Sequence, residues 1–376
     1  MIKALFIQCS NAGVAWYRLT SWSSAAFRNK TFNVLQPWWD KSLTDTHPWE
    51  VDIIDPSFKK RIIDELDDHA KKADVIVSQM AHTVYSLGVL EGIKSIYKIP
   101  LVTEIDDNIL STPTYNPANV VYGQGSQFRE IAIKQFSISD AMIVSTPHLK
   151  ETYAGFCDNI YVAPNSLDFR IWDNLKHRRN KDLIRIGWAG GASHVEDLRI
   201  IEPVVKKTLE KHPPVKFCFV HGIPDFFLGN DRIEAVRDFA RIDRYPQFLA
   251  SRAFDIGLAP LEDNSFNRGK SNLRWLEYAG MKVPCVASDV GHFHETITSE
   301  ENGMLCDSET EWLDALDWLI SDENARKKMG KNANQLARKN FNIDVNIQDY
   351  NKYLTEVVDR GQVVKLPDEM IPEATA

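Results

Sequence analysis

Cysteine is scarce in this chain. Five of its 376 residues are cysteines (Cys9, Cys157, Cys218, Cys285 and Cys306), odd in number and scattered. Neither a disulfide framework nor a zinc site has that spacing, and the thiols read as buried and reduced, as in a cytosolic protein. A run of about 18 apolar residues is missing, as is a secretory apolar segment, so the expectation is a cytoplasmic protein, soluble or peripheral at the inner membrane face. Positive charge is in deficit: 44 Lys and Arg against 52 Asp and Glu leave a formal net charge of −8. That balance disfavours a general polyanion binder and still permits a local basic patch. Internal repeats and low-complexity blocks are absent too.

What the chain does have is a long alternation of apolar strands with helical patterns. Ile2–Gln8, Asp74–Ser78, Leu101–Ile105, Ala141–Ser145 and Ile160–Ala163 read as strands of one parallel sheet. Ile184–Trp188, Val215–His221, Asp255–Pro260, Val283–Ser288 and Gly303–Cys306 read as a second series. Between them "DNLKHRRNKDL" is polar and basic, as a solvated linker would be. The expected organisation is α/β, with two Rossmann-like domains at 1–172 and 184–340, a linker at 173–183 and a loose tail at 361–376.

Charge collects in "RGKSNLRWLEYAGMKVPCVAS", Arg268 to Ser288, just ahead of an almost wholly apolar strand. With Ser271 or Asn272 as helix cap, side chains turn by about 100° per residue, so Lys270, Arg274 and Glu277 share a face and Trp275, Leu276 and Ala279 face a core. Gly269 lets the backbone approach a ligand, and the first turn's free N–H groups, with Arg268 and Lys270, favour an anion. Glu277, roughly 9 Å further along, suits hydroxyl groups. A diphosphate with a ribose nearby fits this spacing; an i,i+3 Arg–Glu pair on a solvated helix fits it equally. "GKS" is no P-loop, because Asn264 stands where the motif needs glycine.

Other stretches carry weaker signals. "GWAGGASHVEDL" sets Gly190 and Gly191 behind a strand and Ser193 before a helix, a backbone cradle for phosphate, with His194 as donor to a phosphate or sugar oxygen or as a helix cap. In "SNAGVAWYRL", Gly13 lets the loop approach donor or acceptor, and Arg18 either neutralises phosphate or acceptor charge or forms a structural ion pair. "TEIDDNI" ends a strand with Asp106 and Asp107, carboxylates for proton transfer, acceptor contact or helix capping. The tryptophans of "SWSSAAF", "QPWWD" and "HPWE" suit core packing more than stacking on a ligand, and "HFH" (His292 to His294) reads as a surface pair.

Three segments in order, "SDAMIVSTPHLKETYAGFCDNIYVAPNSLDFRIW", "IRIGWAGGASHVEDL" and "FDIGLAPLEDNSFNRGKSNLRWLEYAGMKVPCVAS", resemble the GT-B glycosyltransferases akin to glycosyltransferase family 4 (glycosyl transferases group 1). The resemblance implies two Rossmann-like domains facing across a cleft and a C-terminal segment at 341–360, with its helix centred on Val345–Val358, that crosses back to the first domain. It also implies a nucleotide sugar of UDP or GDP type, a substrate rather than a cofactor, held mainly by the second domain, with the acceptor held by the first. Glu277 matches the second glutamate of the family's Glu-x7-Glu motif, which holds the donor ribose. The first would fall at 269, where this chain has Gly269. Because that glutamate usually contacts the transferred sugar, the family's retaining outcome is an expectation with this departure attached.

By the same resemblance, Arg268 and Lys270 replace the basic pair that many relatives carry after the first strand of the second domain, and Asp106 takes the place of a histidine beside the reacting sugar. Gly190, Gly191, His194, Ser271 and Asn272 join Glu277 in holding the donor. No metal is expected, since GT-B enzymes place leaving-group charge on helix dipoles and basic side chains. The implied activity is sugar transfer to a saccharide or lipid-linked glycan. A modified base in DNA is the alternative acceptor, which the acidic balance disfavours. A catalytically inactive binding relative and a nucleotide-sugar epimerase are the other readings.

Overall fold

The computed structural model describes residues 1–9, 13–37, 56–176, 183–238 and 240–363. Two six-stranded parallel sheets organise it. The first contains β1 (Lys3–Ile7), β2 (Asn33–Leu35), β3 (Val75–Ser78), β4 (Leu101–Ile105), β5 (Ala141–Val144) and β6 (Ile160–Val162), in the order β2-β1-β3-β4-β5-β6. The second contains β7 (Ile184–Gly190), β8 (Val215–His221), β9 (Ile233–Val236), β10 (Ile256–Ala259), β11 (Cys285–Ser288) and β12 (Met304–Cys306), in the order β12-β11-β10-β7-β8-β9. β5 and β11 are buried at every position, as strands covered by helices on both faces must be. This is the α/β architecture the sequence implies, with two additions. β2 and β9 are short, partly exposed edge strands without the continuous apolar run that marks the interior ones.

The domains are joined twice. The chain enters the second core earlier than the expected boundary at 172, because Leu167, Phe169 and Trp172 are already buried among Trp275, Leu276 and Phe341. Gly280 makes room for this segment: a Cβ there would come within 2.5 Å of the Trp172 ring. The chain returns through a bridge in which the Leu167 N–H donates to the Phe341 carbonyl at 2.8 Å and the Ile343 N–H donates to the Leu167 carbonyl at 3.1 Å. Helix Ile343–Val363 then packs Ile343, Ile347, Tyr350 and Leu354 against Phe6, Trp22 and Phe32 of the first domain. All five cysteines are free and buried. Trp22 is a core residue, whereas Trp38, Trp39 and Trp49, most of the linker and residues 364–376 lie outside the described residues. Among the described residues, no helix is long and apolar enough to cross a membrane.

A buried ion pair underlies the first domain's cleft edge. Arg18, on a π-helical turn over Trp16–Thr20, and Glu104, on β4, are 0% and 1% exposed, and the Arg18 Nε donates to the Glu104 carboxylate. Arg18 Nη1 also donates to the Ala163 carbonyl at 2.7 Å, and Gln79 Nε2 donates to Glu104 at 3.3 Å. Burial works against the arginine's charge, and Glu104 and Asp106 more than offset it. Of the two sequence readings for Arg18, the structural ion pair is the one found; it does not line the cleft cavity. Arg18→Ala is expected to cost about 3–5 kcal/mol, because Glu104 would be left charged and unpaired away from water. Urea unfolding checks this, and an unchanged midpoint would contradict it.

Candidate active site

The second sheet runs outward in both directions from β7 and β10, and open α/β sheets bind ligands beyond the strand ends at such a switch point. A cavity of about 200 Å³ lies there, lined by Trp188 of β7, Ala259 at the end of β10, Pro260 and Leu261. His194, Lys270, Ser271, Leu273, Arg274 and Phe293 complete the second domain's wall, and Asp106, Asp107 and Asn165 face them from the first. Leu273 opens helix Leu273–Gly280, so the helix end whose free N–H groups favour an anion borders the cavity.

Lys270 precedes that helix. Its ammonium sits 4.4 Å from the Phe266 ring centroid and 3.3 Å from Asp107 Oδ1, a contact across the two domains. Ser271 Oγ accepts from Asn165 Nδ2 at 2.7 Å. Asn272 occupies the cap position without capping: it is buried and donates to Thr296 Oγ1 at 3.0 Å, away from the cavity. His194 Nδ1 is 2.7 Å from Asp197 Oδ2, and burial lowers its pKa against the pull of that carboxylate. Gly190 is needed for a close approach, since a Cβ would meet the Trp188 ring at 2.5 Å and Arg274 Nη2 at 3.1 Å. Gly191 is exposed and precedes the short turn Ala192–His194.

Arg274 and Glu277 form the anticipated i,i+3 pair at 2.9 Å, but inside the protein. Glu277 is 3% exposed and receives the Tyr17 hydroxyl, from the first domain, at 3.0 Å. Burial raises its pKa against Arg274, Tyr17 and Tyr245. Glu277 therefore faces the domain junction and does not line the cavity, whereas Arg274, which the sequence reading used only as a face-mate, does.

Three other expected residues are placed elsewhere. Arg268 is half exposed, pairs with Asp263 at 2.6 Å, and borders a neighbouring pocket with His148, His292 and His294. One residue of turn separates it from Lys270's side of the chain. Gly269 is covered by the first domain: a Cβ would lie 3.0 Å from both Asn108 Cβ and Leu149 Cδ2, and its carbonyl accepts from Thr146 Oγ1 at 3.2 Å. Any side chain there would oblige Asn108 or Leu149 to shift. Gly13 begins a helical turn 3.9 Å, by its built Cβ, from Ile242 of the second domain, and Ser10–Ala12 before it lie outside the described residues.

The carboxylates on the first-domain side are unequal. Asp106 is pushed up to about 8 by burial, then by Asp107 and Glu104, against Arg18 and Lys270. Asp107 is more exposed and holds Lys270. Among the described residues, no group of three or more His, Cys, Asp or Glu side chains is arranged to hold a metal ion. The raised acid has a consequence for stability. Above pH 4 the unfolded chain releases the proton that folded Asp106 keeps, so stability falls as pH rises from about 4 to about 8. Asp106→Asn should remove that slope, gaining more thermal stability over the parent at about pH 8.5 than at about pH 5. Equal gains at both would refute the assignment.

Comparison with known proteins agrees with this geometry. The family model described as "Glycosyl transferases group 1" matches residues 273–336, which start at the cavity. A D-inositol 3-phosphate glycosyltransferase of Corynebacterium jeikeium is 26% identical over 191 residues, 47% of this chain and 44% of that enzyme, so the match spans less than half the relative's length. Anabaena HepE in complex with UDP-glucose superposes with a TM-score of 0.66 at 16% identity, over 95% of this chain and all of that one. Sucrose-phosphate synthase from Thermosynechococcus elongatus gives 0.65 at 14% identity, over 95% and 99%. These likenesses establish the fold. Residues 273–336 thus resemble the glycosyl transferases group 1 family, and the two-domain architecture is the one this chain shares with HepE and sucrose-phosphate synthase.

Proposed function

We propose that the protein transfers a sugar from a nucleotide-sugar donor to a hydroxyl acceptor, with retention and without a metal ion. The observation that carries this reading is the cavity at the β7/β10 switch, where Lys270, Arg274 and a helix start from one domain face Asp106 and Asp107 from the other. A UDP-type donor is favoured because HepE, of the same fold, binds UDP-glucose. A saccharide or lipid-linked glycan is the favoured acceptor, entering from the first domain.

In this reading the donor diphosphate lies against Lys270, Arg274 and the N-terminal end of helix Leu273–Gly280, which stabilise the charge that grows as the bond from the anomeric carbon to phosphate oxygen breaks. His194, kept neutral by burial, donates from Nδ1 to Asp197, which fixes its ring and leaves Nε2 as an acceptor for a sugar hydroxyl. The acceptor oxygen bonds to the anomeric carbon, and Asp106 in its ionised form takes the acceptor proton or balances positive charge on the sugar ring. Asp107 steadies the Lys270 ammonium. Glu277 reaches the ribose only when Tyr17 releases it, so donor entry involves relaxation of the domain junction.

Lys270→Ala is expected to lower the rate of transfer from UDP-glucose, or of its slow hydrolysis, by about 10²–10³, the scale of one lost preorganised charge. Binding of free uridine should be unaffected, and chelation by EDTA should leave the parent's turnover within about twofold. Wild-type turnover by the alanine variant, or loss with EDTA restored by magnesium, would overturn the corresponding part of the mechanism.

A further inference from the structure

A chain of hydrogen bonds runs from the buried Arg18 to the cavity. Arg18 Nη1 donates to Asn165 Oδ1 at 3.0 Å, and Asn165 Nδ2 donates to Ser271 Oγ at 2.7 Å. Asn165 lies three residues beyond the end of β6 and is 1% exposed, while Ser271 belongs to the second domain and lines the cavity. The direction of this relay is fixed by chemistry. A guanidinium has only donors, so the asparagine must turn its oxygen to Arg18 and its NH₂ to the serine. The serine oxygen is then an acceptor in that bond, and its single hydrogen must point elsewhere. Among the described residues no group accepts from it.

We infer that Asn165, held by Arg18, is a positioning residue that polarises Ser271, so that its hydroxyl is presented to the cavity as a hydrogen-bond donor for an acceptor-only oxygen of the donor's diphosphate. The inference rests on the reading of the cavity as a nucleotide-sugar site. It adds a coupling between closure and binding: the relay crosses from one domain to the other, so the hydroxyl is oriented only while the domains are together. A sugar hydroxyl, which can also donate, would gain less from this arrangement than a phosphate oxygen, which cannot.

Asn165→Asp tests the direction with almost no change of shape. A carboxylate between Arg18 and Ser271 would accept from both, and the serine hydrogen would turn away from the cavity. Calorimetric titration of the full-length protein with UDP and with uridine gives the readout. In the parent background, Ser271→Ala should weaken UDP by about tenfold, the size of one hydrogen bond to a charged group, and change uridine by less than about twofold. In the Asn165→Asp background the same serine change should alter UDP affinity by less than about twofold. Where the aspartate variant does not fold, Asn165→Leu serves: the serine is then unoriented, and Ser271→Ala should cost at most about threefold. Equal cost in both backgrounds, equal loss of UDP and uridine, or no loss at all would overturn the inference. A parent protein that binds neither UDP nor GDP would overturn it together with the proposed function, and is recognised because the parent itself fails.

Discussion

A guanidinium with no access to water sits beneath the cleft, and much of the site depends on its neutralisation. Arg18 and Glu104 are both fully enclosed, and charges so placed persist only when each satisfies the other; Arg18 Nε and Nη1 are partnered, while its Nη2 is buried without a partner among the described residues. The pair ties the π-helical turn that carries Tyr17 to the strand that ends at Asp106. Its location therefore bears on two features at once: the tyrosine that reaches Glu277 across the domains, and the neighbouring Asp106, whose pKa is raised first by burial and by Asp107, with Glu104 adding to the shift and Arg18 opposing it. The same guanidinium orients Asn165, and through it Ser271. The first domain thus contributes rigid polar geometry and the second contributes cations and a helix start.

The departure at Gly269 acquires a physical reason in this frame. Asn108 and Leu149 press against the backbone at this position, and Thr146 donates to its carbonyl. The position has become part of the domain contact. The cavity wall itself carries Asp106, Asp107, His194 and Lys270, with His194 bonded to Asp197 behind it and Lys270 to Asp107.

Much of the architecture was legible because interior parallel strands are continuous apolar runs, and Leu101–Ile105 and Val215–His221 could be read to the residue. Strands β2 and β9 were not, since an edge strand is short and half wet. At the cavity wall, Lys270, Ser271 and His194 were legible because loops that follow strand ends form the cleft. Arg268 was misplaced beside Lys270 because adjacency in sequence does not mean a shared direction; its guanidinium goes to Asp263. Glu277 was placed on the correct helix, but nothing local reveals that Tyr17, 260 residues away, covers it. Asn165 gave no local signal, for its role exists only once Arg18 and Ser271 come together from distant parts of the chain.

The central claim is that the interdomain cavity at the β7/β10 switch is a diphosphate site. A crystal structure of the protein with UDP tests it most directly. The account predicts diphosphate oxygens within about 3.2 Å of Lys270 Nζ and Ser271 Oγ, at the N-terminal end of helix Leu273–Gly280. A diphosphate bound instead in the neighbouring pocket of Arg268, His292 and His294, with Lys270 still on Asp107, would contradict it.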